Sequence, residues 1–215
     1  MEILNIIRGT AIHFQMMETP VELFITDLVE ELRRRYRFFE APCKADEIDP
    51  EKGLRFALGR FEGATIDSLE VFNSALVVRG PAATEILDRF LEDISNWATE
   101  TLHVTIAPSQ PVARAYNSTL EVSASFDLLR WHKRLDAFRE MLGEMVSRQG
   151  FDVAPYEAIG MAMHTEKERA VPLQPAKFTL ERRVGHHYGE NIFFSEAPVA
   201  TADHKKLLDS LETLL

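Results

Sequence analysis

The chain has 215 residues, 46% of them hydrophobic, enough for a full core without disulfides or structural metals. Asp and Glu number 34 against 24 Lys and Arg, and the net charge of −10 argues against sequence-independent nucleic-acid binding, which rests on neutralising phosphates with basic side chains. The single cysteine, Cys43, excludes an internal disulfide, a Cys-rich metal site and a C-x-x-C redox motif, and no apolar run reaches the length of a membrane span.

Residues 3–15 predict a strand, with Ile3, Leu4, Ile6, Ile7, Ile12 and Phe14 apolar and Gly9 at a bulge or bend. Its early acid and polar interruptions are not those of a signal peptide. The expected compartment is the cytoplasm, and Asn117-Ser118-Thr119 is then a chance match to the glycosylation pattern. Thr19-Pro20-Val21-Glu22 has the form of a capping box with proline at the first helical position, and predicts a helix to Tyr36. Leu23, Phe24, Leu28 and Leu32 line its inner face. It ends on Arg33-Arg34-Arg35-Tyr36-Arg37, cations that suit the negative helix terminus and could also hold an anion or phosphate.

A polar loop over 40–53 leads to strands at 54–61 and 66–78, joined as a hairpin through Gly63. After Gly80-Pro81 a helix buries Ile86, Leu87, Phe90, Leu91, Ile94 and Trp97. A short strand at 102–107, a turn at 108–111 and a strand at 112–123 follow.

The clearest pattern is at 125–150. Leu128, Trp131, Leu135, Phe138, Leu142 and Met145 step by three and four, the spacing of one helical stripe, widened by Leu129, Met141 and Val146. Ser125 suits the N-cap, Asp127 the first turn and Gly150 the stop. This predicts a long helix hidden beneath the sheet. The competing reading is a dimer-forming coiled coil, for which only about three heptads are present. Strands are expected at 158–164, 178–184 and 192–194, with a turn at 185–189. Thr201 can cap a last helix bearing Leu207, Leu208, Leu211, Leu214 and Leu215.

Helices interleaved with hairpins predict an α+β fold: two layers, a mainly antiparallel sheet with amphipathic helices packed on one face. The element order nearly repeats, suggesting a duplicated β-α-β-β-α unit with halves 1–100 and 101–215 inside one domain.

The densest polar stretch places Arg182, Arg183, His186, His187, Tyr188, Glu190 and Asn191 around a turn bracketed by Gly185 and Gly189. Arginines there could clamp a carboxylate or phosphate while a histidine moves a proton. The structural alternative is a hairpin with a charged outer face and a packed tyrosine. Adjacent histidines without a third ligand give no metal site, and no cofactor motif is present. Phe193-Phe194 could serve as an aromatic contact for a partner, or place one ring in the core. Glu92 and Asp93 read as the solvated side of a helix. His103-Val104-Thr105 matches the H-x-T form that two-histidine phosphoesterases use in two copies; no second copy follows, so no family is recognised.

Three functions follow as expectations. The first is a non-catalytic binding or assembly protein acting through a protein partner or self-association. The second is an enzyme on an anionic small molecule, of phosphoester type, at the Arg/His turn. The third, and least supported, is nucleic-acid binding at the arginines near residue 35.

Overall fold

The computed structural model describes residues 1–18, 25–44, 47, 51–108, 113–129, 133–150, 156–165 and 175–214. The first half of the chain runs β1 (Glu2–Glu18), α1 (Ile25–Tyr36), β2 (Leu54–Phe61), β3 (Ala64–Phe72), β4 (Ala75–Gly80) and α2 (Thr84–Leu102). After β5 (Thr105–Pro108) come β6 (Arg114–Ser123), α3 (Lys133–Ser147), β7 (Gly160–Met163), β8 (Phe178–Arg182), β9 (Ile192–Ala197) and α4 (Thr201–Leu214). All nine strands join one sheet in the order β2-β3-β4-β1-β6-β9-β8-β7, with β5 added to the end of β1. Every strand pair among the described residues is antiparallel.

Helices α1, α2 and α4 cover one face, so the fold is the expected two-layer α+β arrangement. Tyr36 at the end of α1 meets Phe90 of α2 edge-on at 4.8 Å, and the two helices share a core with Leu54, Phe56, Leu69 and Val78 of the sheet. A second core joins Leu120, Val122, Leu180 and Phe193 of the sheet to Leu208 of α4.

An approximate twofold relates the halves. The first half is β-α-β-β-β-α, one strand longer than expected because residues 66–78 are two strands and not one, and after β5 the second half follows the same order, its third strand being the expected short one. The chain reverses at Asn73-Ser74, and Phe72 pairs with Ala75. Apolar residues continue on both sides of that turn and mask it. Gly9 on β1 pairs with Ser118 on β6, and the ladders mirror one another around this pair. Gly9 pairs outward with Gly80 as Ser118 pairs with Ala197. Likewise His13–Leu76 corresponds to Val122–Phe193, and Leu69–Val78 to Leu180–Ser195.

The dyad also sets the helices. The first residues of α2 and α4 face each other: the Thr84 amide donates to Thr201 Oγ1 at 3.0 Å, and the Thr201 amide to Thr84 Oγ1 at 2.8 Å. Two positive helix ends would repel here. Glu85 offsets this by accepting the Ala202 amide at 2.9 Å. Thr201, expected to cap α4, is its first residue and instead accepts the Thr84 amide of α2.

The expectation for 125–150 needs the largest correction. Residues 125–129 are not helical, the described helix is Lys133–Ser147, and α2 is the helix that fills the core of the first half. Ser125 donates its amide and hydroxyl to Glu212 instead of capping, and Asp127 accepts the Leu129 amide in a turn. Leu128 and Leu129 are buried in that turn, while Phe138 is 56% exposed and Met141 and Met145 nearly half exposed. A stripe of this spacing records that a helix has an apolar face; it does not record that this chain supplies the cover. Trp131, the Leu135 side chain, the expected cap at Thr19-Pro20 and Leu215 lie outside the described residues.

Candidate functional site

The Arg/His turn is a built structure. Arg182, at the end of β8, is buried, with its guanidinium fully engaged: Nε donates to the Ala158 carbonyl at 2.8 Å, Nη2 to Asp127 at 2.5 Å and Nη1 to the Tyr188 carbonyl at 3.4 Å. Its charge also lies 4.4 Å from the centre of the Tyr188 ring. Arg183 points to the other face of the sheet, as strand alternation requires, and pairs with Glu121 at 2.8 Å.

The histidines do not converge on a common point. His186 Nδ1 lies 3.0 Å from Glu190. His187 caps the 3₁₀ turn Tyr188–Glu190, accepting the Gly189 amide while Glu190 accepts the His187 amide at 2.8 Å. The His186 side chain, followed by the His187 amide, holds the Glu190 carboxyl below its ordinary range. Asn191 closes the turn with a left-handed backbone, φ 52°. Of the seven residues expected here, Arg182, Arg183, His186 and Tyr188 line an open concavity of about 620 Å³ between β7 and β8. His187, Glu190 and Asn191 brace the turn behind it. Phe193 is wholly buried and therefore removed from any partner contact; Phe194 lies on the opposite face of the sheet, half-buried.

Other polar groups expected to be solvated are structural. Asp93 accepts the Tyr36 hydroxyl at 2.6 Å and pairs with Arg35 at 3.1 Å. Burial, followed by that hydrogen bond to Asp93, raises the Tyr36 pKa and keeps the phenol protonated. Arg34 is neutralised by Glu31. Glu92 pairs with Arg114, which also meets Asp88. Asp88 in turn takes His13 Nε2 at 2.6 Å and the Tyr116 hydroxyl at 2.9 Å. His103 is exposed and forms the left-handed C-cap of α2, φ 56°, which accounts for it without phosphoester chemistry.

The sequence reading missed the most buried titratable group among the described residues. His204 of α4 is 0% exposed and lies between Ser118 of β6 and Ser195 of β9. Ser118 Oγ is 2.7 Å from Nδ1, and Ser195 Oγ is 2.9 Å from Nε2. Ser195 donates its own proton to the Thr179 carbonyl at 2.8 Å, so it accepts from Nε2–H, and Ser118 donates to Nδ1. The ring is thus satisfied in its neutral form, and burial pushes its pKa down to about 4. At the matching positions of the first half stand Gly9, Val78 and Leu87. A sequence scan sees only one histidine in a polar helix; the two serines arrive from distant strands.

Apolar side chains are exposed at both ends of the sheet: Phe39 (74%) and Leu58 meet at the β2 edge, and the second half exposes more. Helix α1 buries Val29, Leu32 and Tyr36. Its counterpart α3 has no buried residue among its described side chains. Arg139 ties α3 to the segment before β7 by pairing with Glu157, and in and around β7 and β8 Ile159 (68% exposed), Met163 and Val184 (91%) are exposed as well. The outer edge of β2 is bridged by Glu40 to Ala57. The outer edge of β7 has no strand partner among the described residues.

Among the described residues no group of three or more His, Cys, Asp or Glu could hold a metal ion, and no helix is long and apolar enough to cross a membrane. Scans of the chain against protein-family models and against curated proteins give no match.

Proposed function

We propose that the protein is a non-catalytic assembly protein, and that a second copy of the chain docks on the α3–β7 end. The observation that carries this reading is the contrast between α1, which hides its apolar face, and α3, which leaves Phe138, Met141 and Met145 in solvent, while Ile159, Met163 and Val184 in and around β7 and β8 are exposed too. Fully burying one such side chain contributes about 1.5–3 kcal/mol. These six are roughly half exposed or more, so covering them on both copies offsets an association cost of about 4–15 kcal/mol.

Two features favour a second copy over an unrelated chain. An all-antiparallel sheet that ends in an open edge can pair with its own twin across a twofold, the commonest closed assembly. The polar side of α3 carries both signs, with Glu140 and Glu144 near Arg148, so two copies can meet without like charges opposed despite the net −10. A protein partner of another kind remains an outcome of the test.

A second reading, an enzyme on an anionic small molecule at Arg182, Arg183, His186 and His187, draws support from the concavity beside β8. It ranks lower because Arg182 and Arg183 already answer Asp127 and Glu121, which leaves little positive field for an anion.

Light scattering over a concentration series tests the proposal. The expected result is a dimer that the double change Phe138→Asp, Met145→Asp converts to monomer with an unchanged thermal melt. A wild-type chain that stays monomeric up to about 0.1 mM, and retains nothing in a pull-down, overturns it.

A further inference from the structure

The first half contains an apolar chamber of about 400 Å³ where α1 and α2 diverge over the sheet. Its walls are Leu28 and Leu32 of α1, Ile94 and Ala98 of α2, and Val71 and Leu76 of the sheet. The size falls within the roughly 300–1,000 Å³ of small-molecule sites. General looseness does not explain it. A few residues away the same core is tightly filled, with Phe90 and Leu91 fully buried, Phe38 5.2 Å from Phe56 and Phe61 5.3 Å from Phe90.

The wall is too apolar to hold a chain of ordered waters, each of which needs two to four polar partners. Polar atoms are few and placed to one side. Ser95 on α2 donates to the Leu91 carbonyl at 2.9 Å and accepts from Gln15 at 3.4 Å, so its oxygen can take one more donor. Asn73 stands exposed at the mouth, and Glu51 adds a carboxylate there. The apolar walls disfavour a charged head group of either sign.

We propose that this chamber binds one small, uncharged, largely aromatic or branched molecule carrying a single hydrogen-bond donor, an amine or alcohol, directed at Ser95. The site is separate from the α3–β7 end, so either proposal can fail alone.

The probe is N-phenyl-1-naphthylamine, a neutral aromatic amine whose fluorescence rises in apolar surroundings. The expected result is a saturable rise at one dye per chain. Ala98→Leu and Leu28→Phe fill the chamber from opposite walls, and each should weaken binding about tenfold or more while the chain still melts cooperatively. Phe138→Asp should leave binding unchanged. Should one wall variant fail to fold, the other decides. Energy transfer to the dye from Trp97, the neighbour of Ala98 on α2, reads the site in the wild-type fold; a drop in transfer in Trp97→Phe supports it. No saturable signal, a signal indifferent to the folded wall variants and to Trp97→Phe, or one lost in Phe138→Asp overturns the proposal.

Discussion

Thr84 and Thr201 cap each other's helices, each amide donating to the other's hydroxyl oxygen across the dyad. Losing an N-cap costs about 1 kcal/mol, up to about 2 in a protein. Thr84→Ala and Thr201→Ala should each destabilise by that amount. Because each hydroxyl's main partner is the other residue, the double variant should cost less than the two singles added, by roughly 0.5–1 kcal/mol. Urea unfolding of the four chains checks this, and strict additivity would contradict the shared cap.

His204 makes stability depend on pH. Its folded pKa of about 4 lies below the ordinary 6.5, so between these values the unfolded chain binds the proton that the native chain refuses. The contribution is fully present above about pH 6.5 and is lost as pH falls toward 4. At 1.36 kcal/mol per unit it amounts to about 3 kcal/mol. The ring is neighboured by Ser118, Ser195 and the Phe178 ring. His204→Leu, the residue type that Leu87 brings to the matching place, should flatten the slope of urea midpoint against pH in this window. An unaltered slope would show that the ring titrates normally.

Two glycines should respond oppositely to alanine. A Cβ on Gly9 would stand 2.3 Å from the Ala82 carbonyl oxygen, a backbone atom at the strand–helix crossing. Gly9→Ala should cost about 1–3 kcal/mol through the forced shift. Gly143 lies within α3 with nothing near its missing side chain, and Gly143→Ala should stabilise by about 0.5–1 kcal/mol. Thermal melts distinguish these signs.

The arginines of the β8 turn should separate in the same way. Arg182→Ala strips Asp127 of its partner in a buried setting and should cost about 3 kcal/mol. Arg183→Ala breaks a more exposed pair with Glu121 and should cost under about 1 kcal/mol. Native stability in Arg182→Ala would show that the pair with Asp127 is dispensable to the fold and would revive the anion reading.

Where pattern is local, the sequence carried the fold. The strand over 54–61 and the apolar residues of α2 were expected from alternation and helical spacing, and both are present. What failed is non-local. Nothing in residues 125–150 says whether another chain covers Phe138, and the pairing of Asp127 with Arg182 joins segments that periodicity treats separately. The turn at Asn73-Ser74 escaped because Val71, Phe72, Ala75 and Leu76 continue the apolar run around it. The turn over 182–191 is legible as one local structure, since much of its wiring, from His186 and His187 to Glu190, is sequence-local. Its inward neutralisation was not legible, because Asp127 and Glu121 reach it from elsewhere.

Strand β1 is shared by both halves, and this shapes how the molecule comes together. It is synthesised before β6, yet β6 is its most extensive neighbour in the sheet. The first half can close early through β4, leaving one flank of β1, with Ile3 and Ile6, waiting until the second half exists. Such distant pairing predicts slow refolding, with misassociation through that waiting flank when the chain is renatured at high concentration.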